Sequence, residues 1–175
     1  MEKQILSEQE IKRIVSSISR EIIEKNPKPS ILFIVGVKSR GDVLAKRIAE
    51  RIESQVGQKI ETSAIDITFY RDDVQLKAYK YVVKDEIKFD VTDKNVVLVD
   101  DVIFTGRSIR AAIDALIDSG RPKSIQLAVL VDRSGRELPI QPDYVGQKIK
   151  ASPESQVQVR VKEIDGEDKV IMTGK

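Results

Sequence analysis

Three stretches of this chain are apolar without interruption at strand length: ILFIVGV at 31–37, VVLV at 96–99 and the apolar part of SIQLAVLVD at 124–132. A strand with one face in water alternates apolar and polar residues, whereas these runs suit strands buried on both faces of a parallel sheet. Helix-spaced segments separate them. Ser7 and Glu10 form a capping-box pattern, followed by Ile11, Ile14, Val15, Ile18, Ile22 and Ile23 at helical spacing, with Pro27 and Pro29 ending the run. Asp42 is placed to cap a second helix with Val43, Leu44, Ile48, Ala49 and Ile52 on one face. A third helix over 106–119 turns Ile109, Ala112, Ile113, Leu116 and Ile117 inward and stops at Gly120 and Pro122. The alternation predicts an α/β fold with a parallel central sheet flanked by helices. Residues 59–70 alternate and read as a further strand. Residues 71–90 are charged and weak in apolar anchors, an excursion with hairpin character at YKYVV. Near the end, VQVRVKEI pairs with KVIM. No repeat or linker interrupts the 175 residues, so 1–175 is read as one domain.

Composition narrows the chemistry. The chain contains neither cysteine nor histidine. Disulfides, thiolate nucleophiles, Cys-based zinc sites, Ser-His-Asp triads and HExxH metal sites are therefore excluded, and acid–base work falls to Asp, Glu, Lys or Tyr. Tryptophan is missing too, a joint gap unusual for a natural chain and of the kind a reconstructed or engineered sequence would show. No apolar run approaches the roughly 18 residues of a membrane span. The polar start MEKQILSEQE lacks the apolar core of a secretory signal, so a cytoplasmic location with no membrane partner is expected. With 30 basic and 28 acidic residues the net charge is +2, which gives no global nucleic-acid signal but leaves a local basic patch open.

In open α/β sheets ligands sit at the carboxyl ends of the strands. The unusual residues fall there: GVKSRG at 36–41, YRDD at 70–73, DDVIFTGRS at 100–108 and DRSGRELP at 132–139. TGRS opens a helix, whose free N–H groups with the Thr105 and Ser108 hydroxyls suit a phosphate, and Gly106 lets the backbone come close. Asp100 and Asp101 just before it can accept hydrogen bonds from vicinal hydroxyls. Cradle and acids together describe a ribose 5-phosphate site whose negative charge would stabilise an oxocarbenium-like transition state. Lys38, Arg40 and the intervening amides suit a second anion such as pyrophosphate, with Arg71 closing over it. Neither a Walker pattern nor GxGxxG occurs. Plainer alternatives remain at this point. The acids can serve as a magnesium pair like that of receiver domains, GVKSRG as an ordinary strand-to-helix turn, 71–90 as a solvated loop, and Arg133 and Arg136 as surface charges.

An apolar strand, two acids and Thr-Gly-Arg-Ser resemble the signature of type I phosphoribosyltransferases, which bind 5-phosphoribosyl 1-pyrophosphate (PRPP). AIDITFYRDD, VDDVIFTGRSIRAAIDAL, GRPKSIQLAVLVDRSGRELPI and DYVGQKI resemble the PyrR family, pyrimidine operon regulators with uracil phosphoribosyltransferase activity. The likeness runs from about Ser7 to the C-terminus. It implies a type I phosphoribosyltransferase fold with a small hood and a flexible loop over 71–88, and the reaction of uracil with PRPP to UMP and pyrophosphate. Asp100, Asp101 and Arg71 would be catalytic. Lys38, Ser39 and Arg40 would hold the pyrophosphate, and Ile103, Phe104, Thr105, Gly106, Arg107 and Ser108 the 5-phosphate. Val131 and Arg133, with 138–146, would enclose uracil. Magnesium would arrive with PRPP rather than on protein side chains alone, and a homodimer or homotetramer is expected.

The same likeness implies an mRNA leader as partner, contacted through Ser16, Arg20, Arg136 and Lys148. Here the sequence departs from the family pattern. Ser134-Gly135 stands where RNA-binding members have Gly-His, Arg20 where they have His, and Gln141 and Gln147 where they have basic residues. Each lost cation weakens a salt-dependent contact. The alternatives to a uracil enzyme are thus a UMP- or PRPP-responsive RNA-binding regulator with weak or no catalysis, and a nucleotide sensor without turnover.

Overall fold

A computed structural model of the chain describes residues 2–72 and 89–174. A five-stranded parallel sheet runs in the order β3-β2-β4-β5-β6, with β2 at Leu32–Val37, β3 at Glu61–Ile65, β4 at Asn95–Ile103, β5 at Ser124–Arg133 and β6 at Tyr144–Ile149. The apolar runs are its three central strands. Along β2, Leu32 and Ile34 face the helices α1 (Glu8–Lys25) and α2 (Gly41–Val56), while Phe33, Val35 and Val37 face α3 (Arg107–Asp118). Val97 and Val99 against Val96 and Leu98 repeat this division in β4. Each such side chain contributes about 1.5–3 kcal/mol by leaving water, which is why both faces had to be apolar.

A second sheet is antiparallel, ordered β1-β8-β7, from β1 (Glu2–Leu6), β7 (Gln156–Arg160) and β8 (Lys169–Thr173). The short helix α4 (Lys162–Asp165) joins β7 to β8. Leu6, Val159, Val161 and Val170 enter the core that also holds Ile34 and Val97, so the two sheets share one hydrophobic body. The capping box of α1 is formed: the Glu10 N–H donates to Ser7 Oγ, and Glu10 accepts from the Ser7 N–H at 2.8 Å.

The structure corrects several expectations. Two strands, β1 and β6, carry too few consecutive apolar residues to be recognised. The 59–70 strand stops at Ile65 and gives way to a 3₁₀ turn at Thr68–Tyr70. β4 continues past Val99 to Ile103, so the acid pair lies within a strand. Arg40, not Asp42, occupies the N-cap of α2, and Asp42 sits in the first turn, where its charge still suits the helix dipole. Ile117 is 58% exposed rather than inward. The YKYVV hairpin and residues 73–88 of the expected loop lie outside the described residues.

Candidate active site

The ends of β2 and β4 meet so closely that only glycine fits between them. A Cβ on Gly36 would lie 2.3 Å from the Asp42 Cα, and one on Gly41 would lie 2.6 Å from the Val99 carbonyl oxygen and 3.3 Å from Asp100 Oδ1. The end of the 38–41 loop is therefore seated against Asp100. Within it the Lys38–Ser39 peptide is cis and Arg40 has φ +73°. The Lys38 N–H donates to the Ile65 carbonyl at 2.9 Å, tying the loop to the end of β3.

Asp100 is 6% exposed. Its Oδ1 accepts from the Asp101 N–H at 2.9 Å, and Asp101 Oδ1 accepts from the Val102 N–H at 2.7 Å. Burial and the neighbouring Asp101 charge push the Asp100 carboxyl well above its usual range, and the Arg71 charge opposes this. Burial also raises Asp101, against the Val102 N–H, the bond with Asp100 and the charge of Arg40. Two adjacent acids shifted in this way, by burial and by each other, mark a candidate functional site.

Gly106 then takes φ +93°, a conformation that favours glycine, and no side chain caps α3 there. The Arg107 N–H donates to Thr105 Oγ1 at 3.3 Å. The Thr105 carbonyl accepts from the N–H groups of Glu137 and Leu138, fixing the turn against the 134–143 segment. Arg107 itself points to the rim, paired with Asp72 at 2.6 Å and Glu137 at 2.7 Å. Phe104 is enclosed: the Arg133 guanidinium lies 3.9 Å from its ring centroid, and a Cβ on Gly135 would be 2.2 Å from its ring.

The structure places Gly41, at the end of the loop that holds Lys38, Ser39 and Arg40, against Asp100, sets the charge of Arg40 on Asp101 and that of Arg71 on Asp100, and runs the acid pair directly into the 103–108 turn. It treats the expected base-binding residues differently. Val131 is fully buried, and Arg133, 5% exposed, donates to the Ser155 and Ser152 carbonyls at 2.8 and 3.1 Å. Both side chains are thus directed into the protein. Arg136 is half-buried and makes five hydrogen bonds, to Ile140, Phe104, Arg133, Asp132 and Gln141. Ser16 accepts from Arg51 at 2.9 Å in a groove of about 620 Å³ between α1 and α2 that Lys12 and Arg13 also line. Arg20 is exposed, and Lys148 borders a separate groove of about 430 Å³.

Sequence reasoning missed the C-terminal partners of the site. Arg40 forks onto Asp165 at 2.8 and 3.1 Å, and Arg47 onto Glu163 and Asp168. Acids in KEIDGED were the only signal, and nothing in their spacing indicates which arginines they meet. Among the described residues no group of three or more acidic, histidine or cysteine side chains could hold a metal. The Asp100–Asp101 pair offers hard oxygen donors of the kind Mg²⁺ shares with a phosphate-bearing substrate.

This arrangement defines the chain as a phosphoribosyltransferase: residues 1–164 match the phosphoribosyl transferase domain family. The fold agrees with hypoxanthine phosphoribosyltransferases of Staphylococcus aureus (TM-score 0.72, 19% identity, 99% of this chain and 91% of that one) and Trypanosoma cruzi (TM-score 0.72, 17% identity, 97% and 95%). Within that class the chain belongs to the PyrR family. It is 52% identical over 168 residues to the bifunctional protein PyrR of Clostridioides difficile, covering 95% of each chain. It is 50% identical over 169 residues to that of Bacillus subtilis, covering 95% of this chain and 93% of the relative.

Proposed function

We propose that the chain transfers the ribosyl 5-phosphate group of PRPP to uracil, giving UMP and pyrophosphate. The observation that carries this reading is the close approach of Gly41, at the end of the 38–41 loop, to Asp100, with the acid pair shortly before the α3 N-terminus. The first turn of α3, with Thr105 and Ser108, takes the 5-phosphate. Asp100 and Asp101 accept from the ribose hydroxyls, and their potential stabilises positive charge developing on the ring as the C1–O bond lengthens. The amides of 38–41 and Lys38 take the departing pyrophosphate, and Arg71 adds its charge. Main-chain groups around Val131 and 138–146 read the base. Mg²⁺ bound with PRPP, against the acid pair, would neutralise phosphate charge. No described helix is long and apolar enough to cross a membrane, and we place the protein in the cytoplasm as a homo-oligomer. The test is incubation with PRPP, magnesium and uracil, orotate or a purine base. UMP formed from uracil alone supports the reading, and no nucleotide from any base refutes it.

A second reading is favoured by the basic groove beside Ser16: the protein also holds an mRNA leader through Lys12, Arg13, Arg20 and Arg51. Binding to a pyrimidine-operon leader that weakens steeply with salt supports it. Absence of leader binding at low salt removes it.

A further inference from the structure

The 38–41 loop is held from outside itself. Arg40, at φ +73°, is in a backbone region that a non-glycine residue adopts only where its surroundings impose it. Its guanidinium is gripped at two points: Nη2 donates to Asp165 Oδ1 at 2.8 Å and Nε to Oδ2 at 3.1 Å. The only other polar partner of that guanidinium among the described residues is Ser39 Oγ at 3.4 Å. Both side chains of the pair are largely shielded, 26% and 17% exposed. Asp165 is itself fixed. Its Oδ2 accepts from the Val161 N–H at 2.8 Å, its own N–H donates to the Val161 carbonyl at 2.7 Å, and Val161 is fully buried in the core. A rigid line therefore runs from the core through Asp165 and Arg40 to the loop.

We infer that Asp165 is a positioning residue for the pyrophosphate end of PRPP: it touches no substrate, and through Arg40 it sets the main-chain direction of the 38–41 loop. This rests on the reading of that loop as the pyrophosphate site. The molecule contains its own control. Arg47, further along α2, forks onto Glu163 and Asp168 of the same C-terminal segment and, among the described residues, makes no hydrogen bond or ion pair with the loop. Loosening of the C-terminal segment in general and loss of the loop's anchor are thus separable.

The experiment is steady-state kinetics of Asp165→Asn, Asp165→Glu and Asp168→Asn, with PRPP and uracil varied separately, alongside melting curves and product inhibition by pyrophosphate. Asp165→Asn should raise the KM for PRPP about tenfold and weaken pyrophosphate inhibition by a similar factor, with kcat and the KM for uracil within about twofold. Asp165→Glu should recover part of the loss. Asp168→Asn should lower the melting temperature and leave the KM for PRPP unchanged. If Asp165→Asn folds and keeps the wild-type KM for PRPP, or if Asp168→Asn raises that KM equally, the inference fails while the enzyme reading stands. If Asp165→Asn does not fold, Asp165→Glu decides by the same KM comparison. A wild-type protein that makes no UMP overturns the underlying reading, and the inference with it.

Discussion

Two groups of acids lie within reach of Arg40 and are treated in opposite ways. At the end of β4, Asp100 is buried and Asp101 half-buried, with main-chain N–H groups as their hydrogen-bond donors, and both carboxyls are pushed up. Around α4, Asp165 is held low by the Arg40 guanidinium and Glu163 by Arg47. Burial alone would push Asp168 up, but hydrogen bonds from Arg47 and the Lys162 N–H more than reverse it. In the first group burial outweighs the stabilisation the fold gives the charged form; in the second, ion pairs and hydrogen bonds outweigh burial. The difference separates a place that awaits a ligand from one that holds the protein together, although both are clusters of aspartates in the sequence.

The contrast breaks most visibly at Asp100 and Asp101. Changing both to Asn should reduce UMP formation by at least about 10³-fold, since each removes charge aimed at the transition state. The same variant should melt no lower than wild type at neutral pH. A carboxyl raised in the folded state binds its proton more tightly there than in the unfolded chain, so it lowers stability as pH rises from its ordinary value of 3.8 through its folded value. Asn abolishes that penalty. A large drop in melting temperature at neutral pH would place these acids in the structural group after all.

Next in size is Gly41→Ala. Its Cβ would press on the Val99 carbonyl, a clash of about 1–3 kcal/mol by denaturant unfolding, and should raise the KM for PRPP as the loop lifts off the acids. Asp168→Asn should cost about 1–3 kcal/mol through lost charge-assisted hydrogen bonds, with turnover intact. Its pH signature is opposite to that of Asp100. A carboxyl lowered in the folded state stabilises above its ordinary value of 3.8 and loses that contribution as pH falls toward the folded value, so wild type and Asp168→Asn should converge in acid. The smallest effect concerns Lys12, which should affect neither melting nor UMP formation when changed to Ala. It should lower the salt slope of leader binding by about one.

The central strands and three helices were legible because burial on two faces demands apolar runs, and helical spacing is visible in the isoleucines of α1. The acid pair and TGRS were legible because charge at the end of such a run is anomalous. What escaped depends on tertiary partners. Nothing local in KEIDGED assigns Asp165 to Arg40. The surroundings of Arg133, expected at the base, and of Arg136, expected on RNA, escaped because sequence does not show the carbonyls of Ser152, Ser155 and Ile140 that take their N–H groups. Asp42 read as a cap because it precedes an apolar run, whereas the contact of Gly41 with Val99 fixes where the helix begins.

The pairing of β1 with β8, Glu2 opposite Thr173, has a consequence for the order of synthesis. Strand β1 finds its partner only after β2 to β7 have emerged from the ribosome. The parallel sheet can collapse earlier around β2, β4 and β5, with Asp100 and Asp101 already in place. The grip of Asp165 on Arg40 is made in the last stage, so a nascent chain would hold the ribose end of its site before it could fix the other.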